Sequence, residues 1–135
     1  MGVAASLSTF PNFAIYFVSA AVLTVIFLAL YTNLTPHREI ALIRDGNAAA
    51  AVTLVGGLLG FVVPLASVIA HSASLVDLAV WGVIALVIQV GGFLLARLLL
   101  PHLPQAIEDG SVSDAIFLAG LSLALGILDA ACMAG

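Results

Sequence analysis

The stretch Leu42–Ser67, LIRDGNAAAAVTLVGGLLGFVVPLAS, decides the fold. A charged turn, Ile43-Arg44-Asp45-Gly46, opens directly into an uncharged run of 25 residues from Gly46 to Ala70. A helix rises ~1.5 Å per residue, so about 20 apolar residues cross the hydrocarbon core of a bilayer. The stretch therefore reads as a membrane span entered from a polar turn. Shifted on by 64 positions, the turn recurs as Ile107-Glu108-Asp109-Gly110 and again leads into an apolar helix.

Composition extends this reading to the whole chain. It is 64% hydrophobic and 7% charged, where a soluble domain carries roughly 25% charged residues. Such a chain cannot cover a water-facing surface, so the lipid bilayer is its expected solvent. Four apolar segments leave no room for a soluble catalytic domain. Seven acids against three arginines, with no lysine, give a net charge of −4 and no basic footprint for nucleic acid. A single cysteine, Cys132, excludes an internal disulfide, and no Cys/His metal spacing exists. No P-loop, nucleotide fingerprint or nucleophile–base set is present. The expectation is a non-enzymatic protein without cofactor or metal.

The spans fall at about 13–34, 47–70, 78–99 and 114–133. Tyr16 and Phe17 at one end of the first span and Tyr31 at the other suit the two aromatic interfacial belts. The first polar loop carries its own helix signals: Thr35 as cap, Pro36 at the first helical position, Gly46 at the end. Ile40 and Ile43 give it an apolar edge. His71-Ser72-Ala73-Ser74 is a tight connection, so spans two and three are antiparallel neighbours. Ser111 with Asp114 resembles a capping box before span four. Arg38, Arg44 and Arg97 all lie on the side of the two long loops. The positive-inside rule then places those loops in the cytoplasm and both termini outside.

The repeat is measurable. Tyr16–His37 matches Trp81–His102 at eight of 22 positions, and Ile43–Ser67 matches Ile107–Ala131 at eight of 25. This favours an all-α membrane protein of four transmembrane helices built as two tandem parallel-repeat hairpins. Residues 1–72 form the first two-span unit and 73–135 the second, related by an axis along the membrane normal.

Three groups of residues stand out as candidate sites. The first is packing. On span two, Ala49, Thr53, Gly56, Gly60, Pro64 and Ser67 share one helical face, and Gly56-x-x-x-Gly60 admits a close backbone. On span four, Ala115, Ala119, Ser122, Gly126, Asp129 and Met133 form a comparable stripe. Gly120 matches Gly56 under the repeat and is grouped with these packing residues. Pro64 frees the carbonyl of Gly60 and predicts a kink. The second group is polar and intramembrane: Thr24, Gln89, Asp129 and His71. Thr24 and Gln89 are repeat counterparts near mid-membrane, where a buried amide needs partners. Asp129 is a charge within a span, read either as a packing residue or as a proton or cation handler with His71. The third group is a docking surface on the cytoplasmic loops: His37, Arg38, Glu39, Arg44, Asp45, His102, Glu108 and Asp109.

The motifs Ile43-Arg44-Asp45-Gly46-Asn47, Pro64-Leu65-Ala66-Ser67 and Ala130-Ala131-Cys132-Met133, with Asp77, Trp81-Gly82 and Gln89, resemble domain-of-unknown-function family 350. These are the YjfL-like small inner-membrane proteins of bacteria. The resemblance covers Tyr31 to the C-terminus well and span one loosely. It implies two-span units, often in tandem, in the bacterial inner membrane. It lends no activity. The family pattern favours Asn where this chain has Asp129, which weighs against a role that needs ionisation. By association it implies envelope maintenance beside a soluble cytoplasmic partner of membrane-stress type. The leading expectation is a homo-oligomeric membrane scaffold or anchor. The alternative is a small oligomeric channel or transporter for ions, protons or a small solute.

Overall fold

The computed structural model describes residues 2–34, 39–71 and 74–134, apart from the side chains of Ser6, Leu34, Glu39 and Ala134. Among the described residues seven helices follow in order: α1 Val3–Leu7, α2 Phe10–Leu34, α3 Glu39–Arg44, α4 Ala48–Ala70, α5 Leu75–Leu99, α6 Leu103–Glu108 and α7 Val112–Ala134. Among the described residues four stretches are long and apolar enough to cross a membrane: Val3–Asn33, Ala48–Ala70, Leu75–Leu99 and Val112–Met133. The sequence-derived spans coincide with these to within a few residues at the C-terminal ends. The expected starts of the first, third and fourth spans lie two to ten residues too late, and that of the second one residue too early.

Two of the long helices begin where a side chain satisfies an orphan amide. Asn47 caps α4, its Oδ1 accepting from the Ala50 amide at 3.1 Å. Ser74 caps α5 by accepting from the Asp77 amide at 3.1 Å. The turns before α4 and α7 share one construction. Gly46 and Gly110 hold φ of 86° and 83°, the left-handed region that favours glycine. The amide of Gly46 donates to Ile43 O and that of Asn47 to Leu42 O; Gly110 donates to Ile107 O and Ser111 to Ala106 O. This is the Schellman pattern, which closes the short helices α3 and α6 before the long ones start. It also corrects the capping box. The Ser111 amide is already spent on Ala106, so the Ser111 hydroxyl donates to Asp114 Oδ2 at 2.8 Å instead.

The most extensive interface joins α4 and α7, and α5 packs on both. Gly56 faces Ala119, Gly60 faces Ser122, and Ser67 Oγ donates to Ala130 O at 3.5 Å. The partner lies 62 or 63 residues ahead each time, so α4 and α7 run parallel. α2 is the peripheral span. It is held by an aromatic cluster: Phe27 stacks on Phe61 at 4.4 Å, and Tyr31 meets Phe93 edge-on at 6.0 Å. Gly57 leaves the flat space that the Tyr31 ring occupies, 3.4 Å from where a Cβ would sit. Tyr31 is 1% exposed. Its assignment to an interfacial belt is therefore corrected: ring packing in the interior outweighs the headgroup preference of the phenol. Tyr16 and Phe17 lie at the opposite end beside a cleft with Thr9, Asn12, Phe13 and Ile69.

Candidate functional site

Two places concentrate the polar groups: a knot near the middle of the four spans, and the end bearing the two Asp-Gly turns.

The knot is built from Gly60, Gln89, Ser122 and Gly126. These lie ten to fourteen residues from the turn end of their helices, or ~15–21 Å, near the centre of a ~30 Å core. Gln89 is 1% exposed, and its Nε2 donates to the Ser122 carbonyl at 3.1 Å. A Cβ on Gly60 would strike that carbonyl and would lie 2.7 Å from Gln89 Nε2. A Cβ on Gly126 would strike the carbonyl, carbonyl carbon and Cα of Gly60. That carbonyl is the one Pro64 deprives of its intrahelical amide. α4 nevertheless runs unbroken through Pro64, and the freed carbonyl lies against Gly126. α4 and α7 thus meet backbone to backbone at one level, as small residues permit in lipid, and α5 joins them through the Gln89 side chain.

The packing candidates do not all share this place. Gly56, Gly60, Ser122 and Gly126 are buried within it, whereas Gly120 is exposed and a Cβ there meets nothing within 4 Å. The reason is angular. Gly120 sits one residue, about 100°, beyond Ala119, which is the residue that packs on Gly56.

The intramembrane polar candidates also divide. Thr24 is half-buried and donates to Ala20 O at 2.8 Å within its own helix, while its repeat counterpart Gln89 bonds across helices. Asp129 is 7% exposed and its Oδ2 has no hydrogen-bond partner. It lies seventeen residues into α7, toward the end away from the turns. His71 ends α4 there as an exposed cap, its Nδ1 2.7 Å from Ser67 O. His71, Ser67, Asp77, Trp81 and Met133 line a cleft of about 210 Å³. Asp129 is not among its walls; Met133, one turn further on, is. Among the described residues no group of His, Cys, Asp and Glu could hold a metal ion.

At the turn end, Arg44, Asp45, His102, Glu108 and Asp109 are all exposed. His37 and Arg38 lie outside the described residues, as does the side chain of Glu39. Asp45, Glu108 and Asp109 rim a cleft of about 420 Å³ between the two turns, with Leu42 and Ala48 in its wall. Sequence reading missed the residue that makes this end one piece. While Asn47 Oδ1 caps α4, its Nδ2 donates to Ile107 O at 2.9 Å and Glu108 O at 3.2 Å. One side chain so clamps the first turn to the last carbonyls of α6. A signal existed: Asn47 follows a left-handed glycine as an N-cap, and the amide has two spare donors.

The family model described as Domain of Unknown Function (DUF350) matches residues 5–133, so the likeness extends through the first span. UPF0719 inner membrane protein YjfL of Escherichia coli strain K12 is 40% identical over 121 residues, covering 90% of this chain and 92% of that protein. The protein of the same name from Escherichia coli O157:H7 matches to the same extent. No solved structure matches.

Proposed function

The chain belongs to the DUF350 family, and from that premise we propose that it is a non-enzymatic anchor in the bacterial inner membrane. In this reading it is made of two tandem hairpins, with the turn end in the cytoplasm and both termini outside. The platform around Arg44, Asp45, Glu108 and Asp109 docks a soluble partner concerned with the integrity of the envelope.

One observation supports an anchor over a channel: polar groups are kept inside the four-helix unit. Backbone contact at Gly60, Ser122 and Gly126 closes the α4–α7 seam at mid-span. Within the middle of each span, every exposed position described is apolar or glycine, from Val25 and Ile26 on α2 to Val87 and Gly91 on α5 and Ala124 and Ile127 on α7. Copies assembled side by side would line a lumen with hydrocarbon. Transport as the alternative draws on one feature, the buried and unpartnered Oδ2 of Asp129. The turn end, by contrast, is charged, solvent-facing and cross-braced by Asn47, as a pre-organised binding surface should be.

Co-purification from bacterial membranes tests the proposal. A soluble protein should accompany the wild-type chain and be lost from Arg44→Glu and Glu108→Lys, while Asp129→Asn retains it. Proton or ion flux through liposomes holding the pure protein, reduced by Gln89→Leu, would overturn the anchor in favour of the channel.

A further inference from the structure

A second cleft at the turn end has chemistry of its own. It holds about 310 Å³ and is lined by Arg97, Pro101, His102, Pro104, Gln105 and Glu108. Arg97 lies in the last turn of α5, where the helix leaves the apolar layer. Its guanidinium makes no hydrogen bond or ion pair with any described residue, although Glu108 shares the cleft. Beside it, on the same helix, an apolar face continues into the membrane: Leu98 is 77% exposed, Leu94 51% and Val87 64%. Gly91 sits in that row with nothing within 4 Å of where a Cβ would be. Donors at the rim of the apolar layer, above an uncovered hydrocarbon track, are what a phospholipid requires.

We propose that this cleft binds an anionic phosphodiester lipid with a hydroxylated headgroup, of the phosphatidylglycerol kind. The Arg97 guanidinium and the His102 ring donate to the phosphodiester oxygens. Gln105 offers its amide to the same group. The Glu108 carboxylate accepts from a headgroup hydroxyl, which makes its presence in an anion site productive. One acyl chain lies along Leu98, Leu94 and Gly91. The site shares Glu108 with the docking platform but does not rest on that reading: it requires only that the turn end meet a membrane surface.

The test is native mass spectrometry of the full chain from mixed micelles with equal phosphatidylglycerol and phosphatidylcholine. The wild type should retain one phosphatidylglycerol, and Arg97→Gln should lose that preference about fivefold, the worth of one arginine at a membrane surface. Arg44→Gln, which removes the same charge from the other turn, should retain it. His102→Gln should weaken retention in the same direction, and serves alone should Arg97→Gln lose its helical circular dichroism. Equal loss in the Arg97 and Arg44 variants would reduce the effect to general charge and overturn the site. So would absence of any preference in the wild type. Displacement by inorganic phosphate as effective as by short-chain phosphatidylglycerol would make the ligand free phosphate and overturn the lipid assignment.

Discussion

The amide of Gln89 reaches across from α5 to the backbone carbonyl of Ser122 on α7, 3.1 Å away, directly over the glycine of α4 that makes room for it. In water such a bond would compete with solvent. At mid-membrane no such competitor exists, and measured interhelical bonds are worth ~0.6–2 kcal/mol. Gln89→Leu should therefore destabilise the folded chain by about 1 kcal/mol in a detergent unfolding titration. The cost is held down because Gln89 Oε1 is already without a partner, so the substitution also removes an unsatisfied buried atom.

Gly126 and Gly120 give an internal contrast. Both are glycines of α7, six residues apart, yet a Cβ on Gly126 meets the Gly60 backbone while one on Gly120 meets nothing. Backbone cannot swing aside as a side chain can. Gly126→Ala should cost ~1–3 kcal/mol, the range for overpacking, whereas Gly120→Ala should be neutral or slightly stabilising through helix propensity. Thermal unfolding of the two variants side by side measures the difference.

Asn47 has two separable duties. Asn47→Ser keeps an oxygen able to cap Ala50 but removes the donors to Ile107 and Glu108; Asn47→Ala removes both. Loss of a cap costs ~1 kcal/mol. The alanine variant should thus lose more stability than the serine. Both should show faster hydrogen exchange at the turn following α6, where the Gly110 and Ser111 amides are held.

The docking proposal separates two groups of charges. Arg44→Glu should abolish recovery of the soluble partner without lowering the unfolding midpoint, since Arg44 is exposed. Asp129→Asn should leave recovery unchanged. Parallel pull-downs from the same membranes, quantified against the recovered bait, provide the measurement. Partner loss on Asp129→Asn with retention on Arg44→Glu would reverse the assignment.

Much of the architecture was legible because lipid imposes it. Spans of about 20 uncharged residues and the two Asp-Gly turns follow from hydropathy and backbone conformation alone. The small-residue faces of α4 and α7 follow from helical periodicity, though not that they meet each other. Tyr31 was misplaced because a phenol near a span's end satisfies either an interface or a ring cluster, and only Gly57, Phe61 and Phe93 together decide. Gly120 was grouped wrongly because a repeat match is a statement about position in the unit, while packing depends on angle. For Asn47 the local pattern gives the N-cap and its spare donors, but not the acceptors, which lie about sixty residues on. The polar candidates at Asp129 and His71 could be named but not joined. Their separation depends on which face of α7 turns toward α4.

The central claim is that α4 and α7 lie parallel, in contact along their length, with both Asp-Gly turns at one end. Oxidative cross-linking in native membranes tests it most directly, in a Cys132→Ser background. Ser67→Cys paired with Ala130→Cys should close an intrachain disulfide, because Ser67 Oγ and Ala130 O are 3.5 Å apart. Ser67→Cys paired with Ile116→Cys should not. Cross-linking of the second pair but not the first would mean that the two helices run antiparallel, and would contradict the account.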